Sequence, residues 1–277
     1  MIDMEQYRQQ VEEAVGFLGT RLDIRPEILI QLGTGLGALA DSMEMECSIP
    51  YTEIPNFPGS TVTSHAGNLV CGLLAGRSVA ILQGRFHYYE GYSAREVGFP
   101  IRVLSLLGTK TAIITNAGGG LNAGFAPGSI MIFADHINLL GENPLRGPNV
   151  DSWGDRFPDL SEPYDPELRS IARAAADKLQ LDEITSGTYV CIPGPSLETP
   201  AETRFLKMIG ADAVGMSSIP EVLVAIHGGM RVLGLSVVAN VNDPDKFQPI
   251  LLDDIVEAAQ RAEPRLQQLI MEILSRL

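Results

Sequence analysis

Short β-branched and apolar runs alternate with stretches whose apolar positions recur every three or four residues, from one end of the chain to the other. The runs at 28–32, 79–82, 112–115, 130–134, 188–192, 213–216 and 231–239 predict strands. They are apolar throughout rather than alternating, the pattern of strands covered on both faces in a parallel or mixed sheet. Helical periodicity predicts helices over 4–18, 93–107, 166–179, 200–209, 220–227 and 252–274. In the last, Ile255, Ala259, Ala262, Leu266, Leu269, Ile270 and Ile273 form one apolar stripe, and Pro264 is expected to kink or split it. No linker, repeat or low-complexity segment interrupts the rhythm. Residues 1–277 therefore read as a single α/β domain, a mixed and largely buried central sheet flanked by helices. The loop at 141–163, "GENPLRGPNVDSWGDRFPDLSEP", is too long for a plain connection, and loops of that size usually serve function or a partner.

Composition narrows the function. The 45% hydrophobic and 19% charged content is that of a soluble globular enzyme, and the net charge of −14 disfavours nucleic acid and anionic membranes as partners. Cys47, Cys71 and Cys191 are odd in number, far apart and in no paired motif, so they read as reduced thiols of a cytoplasmic protein with no metal site. The acidic, amphipathic N-terminus has no apolar core of a signal peptide, and no run reaches the length of a membrane span.

Polar clusters follow the strands. GTGLG (33–37) comes after the first, QGRFHYYEGY (83–92) after the second, NAGGGLN (116–122) after the third, and PGPSLET, GMSSIPE and NVND after later ones. Ligands of open α/β sheets bind beyond the carboxyl ends of the strands. GTGLG lacks the full dinucleotide fingerprint and reads either as a tight turn or as an anion nest to which Thr34 adds a hydroxyl. NAGGGLN reads as a turn or as a backbone that a ligand approaches closely. His65 in SHAGN is a loop histidine or a ligand contact, His136 and His227 read as structural, and Glu198 reads as a first-turn helix acid or a site carboxylate. Arg85 and His87 are more pointed. An arginine fork fits phosphate oxygens, a histidine two residues on can donate to the same anion, and Glu90 can orient either of them.

GTGLG, SHAGN, QGRFHYYEGY, TNAGGGLN, DHINL, GDRFPDLSEPYD, GPSLETPAETRFLKMIGADAVGMSSIPEV and VVANVND, running from about Leu29 to Asp243, resemble the trimeric purine nucleoside phosphorylase family, which includes the 5′-methylthioadenosine phosphorylases. The resemblance implies the nucleoside phosphorylase fold, a homotrimer (or a hexamer of paired trimers), no cofactor, and inorganic phosphate as co-substrate. It places phosphate on Thr34, His65, Arg85, His87, Ala117 and Ser217. It places the nucleoside on Tyr89, Ala117, Tyr189, Leu197, Glu198, Val214, Met216 and Asn240, with Phe157 reaching in from the neighbouring subunit. His87, Glu198 and Asn240 would be catalytic.

Donor and acceptor chemistry fits that implication. Ionised Glu198 accepts from N1–H of a 6-oxopurine, and the Asn240 amide serves O6 and N7. Thr34 stands where the family usually has serine, Leu197 where an aromatic usually covers the base, and Ala239 where a threonine precedes the asparagine. The segment after Asp243 has no histidine for a 5′-hydroxyl, whereas Ile250 or Leu252 would suit a 5′-methylthio group. The expected activity is phosphorolysis of inosine and guanosine; the alternatives are a 5′-methylthionucleoside phosphorylase and a non-catalytic binder on the same fold.

Overall fold

The computed structural model describes residues 4–33, 37–59, 66–249 and 251–277. Among them, nine strands form one sheet: β1 (Ile28–Gln31), β2 (Glu44–Pro50), β3 (Asn68–Leu74), β4 (Arg77–Gln83), β5 (Thr111–Gly120), β6 (Ile130–Asn138), β7 (Ile184–Cys191), β8 (Ala213–Gly215) and β9 (Arg231–Val241). The helices are α1 (Met4–Gly19), α2 (Ala94–Val97), α3 (Phe99–Leu106), α4 (Pro166–Lys178), α5 (Pro200–Met208), α6 (Ile219–His227) and α7 (Leu252–Leu274).

The sheet is mixed. β1 runs parallel to β4 on one side and to β5 on the other. β5 also pairs with β8 and β9, while β9–β6, β6–β7 and β7–β8 complete the circuit. Five strands thus close a ring, and β1, β4, β3 and β2 extend from it as an open wing.

Alternation along the strands explains why both faces are apolar. Leu29, Ala80, Leu82, Ala112 and Ile114 face one core with buried residues of α1, α3 and α6. Ile28, Ile30, Val79, Ile81 and Ile113 face the other, closed by Leu168 and Ala172 of α4 and by the stripe of α7. Five of the seven stripe residues are buried in this core and Ala259 is buried beside it; Ile255 instead lines a cavity described below. α7 passes Pro264 as one continuous helix, because that stripe anchors it on both sides of the proline.

All seven strands expected from the pattern are present, and β2 and β3 are additions. β2, EMECSIP, is a mostly exposed or half-exposed edge strand without an apolar run. β3 joins β4 through Ala75 and Gly76, both at positive φ (51° and 77°). Such hairpin turns usually carry Asn-Gly or Asp-Gly, so Ala-Gly conceals this one. The pairing sets Cys47 opposite Cys71, both free thiols, a proximity their spacing in sequence hides. The helix expected over 93–107 breaks into α2 and α3 at Gly98. A Cβ on Gly98 would lie 2.6 Å from Val224 Cγ2 of α6, and Pro100 starts the second helix. The turn reading of NAGGGLN is corrected as well: residues 116–120 continue β5. A Cβ on Gly118 would lie 2.8 Å from the Val214 carbonyl oxygen and one on Gly120 2.9 Å from Val238 Cγ1, so only glycine lets β8 and β9 both close on this strand.

Candidate active site

The ends of β4, β5, β8 and β9 converge with the segment before α5 on a cavity of about 340 Å³. That lies within the range of small-molecule sites.

Arg85, 2% exposed, stands just beyond β4. Its Nε donates to Glu221 Oε1 (2.9 Å), and its Nη1 to the Thr115 carbonyl (2.6 Å) and to Ser217 Oγ (3.4 Å). The guanidinium is therefore fixed in plane from three elements. The expectation that Glu90 orients the histidine holds: His87 Nδ1 and its backbone N–H both meet Glu90 Oε1 at 2.8 Å. The carboxylate on Nδ1 fixes the orientation of the imidazole ring at the cavity wall. The His87 ring stacks on Tyr89 at 4.6 Å. Burial pushes the Tyr89 hydroxyl up to about 12, so it is a neutral donor.

Ser217 and Ser218 lead into α6, whose N-terminal amides favour an anion. Ser218 sits at φ 73°, a costly conformation for a residue with a Cβ, and its Oγ accepts from Asn116 Nδ2 at 2.8 Å. Gly33 packs against β5, where a Cβ would lie 2.8 Å from Asn116 Cα; its N–H donates to Thr115 Oγ1. Close approach of the first loop to β5 thus requires glycine.

Glu198 also lines the cavity, 8% exposed. It precedes the N-cap Thr199, which forms a capping box with Glu202. The first-turn acid is therefore Glu202, and Glu198 is released to the cavity. Burial, slightly reinforced by Glu202, holds its carboxyl above the ordinary range. Asn242 Nδ2 donates to Glu198 Oε2 at 3.4 Å, and Asn240 Nδ2 donates to Asn242 Oδ1.

Of the residues singled out in the sequence, Arg85, His87, Tyr89, Ala117, Leu197, Glu198, Val214, Met216, Ser217 and Asn240 share this one cavity. Tyr189 does not line it. Its ring is buried in β7, stacked on Phe133 at 4.7 Å, and its hydroxyl lies behind Gly215, 2.3 Å from where a Cβ would be. Phe157 is elsewhere, 85% exposed on the long loop. Thr34, His65 and Ile250 lie outside the described residues, as does the side chain of Leu252. His136 bonds the Tyr164 hydroxyl (3.1 Å), and His227 bonds Arg102 (2.7 Å) and Asn149 (3.2 Å), both away from the cavity. Among the described residues no cluster of His, Cys, Asp and Glu could hold a metal, and no helix is long and apolar enough to cross a membrane.

Sequence reasoning passed over Glu221, Asn116, Asn242 and Ile255. Glu221 and Asn116 were visible only as parts of motifs. Asn242 carried a signal: in a strand, residues two apart share a face, so Asn240 implicates it.

The family model "Phosphorylase superfamily" matches residues 27–275. The "Purine nucleoside phosphorylase 1" of Geobacillus stearothermophilus is 49% identical over 256 residues, covering 92% of this chain and 93% of that protein. Two crystal structures of Schistosoma mansoni purine nucleoside phosphorylase superpose closely. The inosine complex does so with TM-score 0.92 and 40% identity, covering 97% of this chain and 96% of that one. The adenosine complex does so with TM-score 0.92 and 41% identity, covering 97% of each. Family model, sequence relatives and structural neighbours agree with the strand-end cavity: the chain belongs to the phosphorylase superfamily, among its purine nucleoside phosphorylases.

Proposed function

We propose that this enzyme catalyses reversible phosphorolysis of purine nucleosides, preferring the 6-oxopurines inosine and guanosine. The observation that carries the reading is one cavity lined by two bonded groups: Arg85 with Ser217, beside His87, and Glu198 with Asn240 through Asn242.

Inorganic phosphate binds the first group, held by the Arg85 fork, His87, the Ser217 hydroxyl and the Ala117 backbone, with Thr34 and His65 assigned from the sequence. The ribose lies between, against Tyr89 and Met216. The base lies against Leu197 and Val214, with Tyr189 supporting the wall from behind. As the C1′–N9 bond breaks, its electron pair passes to the purine and positive charge grows on the ribose. A phosphate oxygen then bonds C1′, giving ribose 1-phosphate, while the purine takes a proton from solvent at N7. Asn240 stabilises the leaving base by donating to O6 and accepting from N7–H, and Glu198 accepts from N1–H. No covalent enzyme intermediate is needed: positioning and preorganised electrostatics supply the rate.

Two further elements belong to this reading. Active sites are shared in a trimer, with Phe157 closing the neighbour's ribose site; its exposure on the long loop supports this. A 5′-methylthionucleoside is the alternative substrate, favoured by Ile255, an apolar residue on the cavity wall. Initial rates on inosine, guanosine, adenosine and 5′-methylthioadenosine, each with and without phosphate, test the proposal. Inosine and guanosine should lead by kcat/KM, and a lead for either adenine nucleoside would refute the 6-oxopurine preference.

A further inference from the structure

The two asparagines at the end of β9 are set by the strand itself. Pairing of β9 with β5 runs in step to Gly118–Val238, skips Ala239, and resumes at Gly119–Asn240. Bulges of this kind re-aim side chains beside active sites. Past the bulge, strand alternation puts Asn240 and Asn242 on one face. The Asn242 backbone N–H donates to the Gly120 carbonyl at 2.7 Å, and its side chain is buried at the cavity wall. Gly119 forms the floor: a Cβ there would lie 3.3 Å from Asn242 Nδ2 and 3.4 Å from Asn240 Oδ1. Any side chain at 119 would press on both amides.

These contacts impose a polarity. An ionised Glu198 only accepts, so Asn242 must turn its Nδ2 towards it. Its Oδ1 then faces Asn240, which must answer with Nδ2. Asn240 is left with one N–H and its own oxygen for the base, the complement of O6 and a protonating N7. A 6-aminopurine would require the opposite orientation of Asn240, with its oxygen towards the exocyclic amine. That flip would break the bond to Asn242 and set two amide oxygens against each other.

Resting on the phosphorolysis reading above, we infer that Asn242 is a specificity-determining residue that relays the charge of Glu198 into the orientation of Asn240 and so selects 6-oxopurines over 6-aminopurines. Asn242 acts through Asn240 and is a positioning residue for the base.

The test measures kcat/KM for inosine and adenosine, phosphate KM and melting temperature in the wild type, Asn242→Ala and Asn242→Asp. Asn242→Ala frees the flip, so the inosine-to-adenosine ratio should fall by about tenfold or more, the worth of one buried hydrogen bond. Phosphate KM should stay within about twofold, because the bonds that hold Arg85 run to Glu221, Thr115 and Ser217 and leave Asn242 out. Asn242→Asp keeps the oxygen that faces Asn240 while opposing Glu198, so overall efficiency should drop while the ratio stays on the inosine side. An Asn242→Ala ratio equal to that of the wild type, or a ratio that collapses alike in both variants, overturns the assignment. A wild type with no phosphate-dependent cleavage of either nucleoside overturns the functional reading first, and is told apart by that activity alone.

Discussion

Replacing Glu221 with glutamine probes how the anion end is built. Its carboxylate meets Arg85 Nε at 2.9 Å, with side-chain exposures of 1% and 2%. Removing one partner of a buried pair leaves the other charge uncompensated, at a cost of roughly 3–5 kcal/mol. A glutamine carbonyl can still accept from Nε, which puts the cost near the lower bound, about 3 kcal/mol. In a domain of this size each kcal/mol lowers the melting temperature by roughly 2–4 °C, so a fall of about 10 °C is expected. The functional effect is separate. Arg85 keeps its bonds to Thr115 and Ser217, but the neutral contact at Nε is weaker and lets its tilt relax. A shift of about 1 Å in a positioned group costs roughly 10²-fold, so kcat/KM for phosphate should fall by that order while the KM for inosine changes little. Differential scanning fluorimetry and steady-state kinetics at varied phosphate read both effects. A Glu221→Gln enzyme with wild-type melting and wild-type kcat/KM for phosphate would show that the pair neither stabilises the fold nor aims Arg85.

Three further outcomes are expected. Gly98→Ala drives a methyl into Val224, and overpacking of this kind costs roughly 1–3 kcal/mol, read as a lowered urea midpoint with unchanged slope; an unchanged midpoint would refute the account of the helix break. Glu198 must be ionised to accept N1–H, and burial raises its pKa, so at saturating phosphate the acid limb of inosine kcat/KM should lie above the ordinary glutamate range. Because the folded state holds this proton more tightly than the unfolded chain, the same group favours folding below its unfolded pKa and loses that contribution as pH rises through the raised value; a flat inosine profile through that window would refute the role. Inactive Arg85→Ala and inactive Phe157→Ala, mixed and allowed to exchange subunits, should recover activity if each site takes Phe157 from a neighbour; no recovery despite proven exchange would place Phe157 in its own subunit's site or in none.

Much of the architecture was legible because burial on both faces forces apolar strands, and the strand ends then mark the site. Arg85 and His87 stood out by a chemistry that a surface loop seldom needs, whereas Glu198 was open to a helix-acid reading and Asn240 entered through the family resemblance; all four line one cavity. What stayed hidden depended on contacts distant in sequence. Glu221 is 136 positions from Arg85, and nothing local distinguishes it from a helix N-terminal acid. The glycines of β5 looked like a turn because the need for them comes from β8 and β9 closing on the same strand. β3 was masked by an Ala-Gly turn without the usual residues. Asn242 was within reach of strand periodicity, but the bulge that aims it at Glu198 is visible only in the pairing register.

The central claim is that phosphate, and not water, attacks C1′ in the cavity between Arg85 and Asn240. The most direct measurement identifies the sugar released from inosine by chromatography, in buffer with phosphate and in buffer freed of it. The account predicts ribose 1-phosphate, formed in step with hypoxanthine, and negligible cleavage without phosphate. Free ribose released at the same rate in both buffers would contradict it.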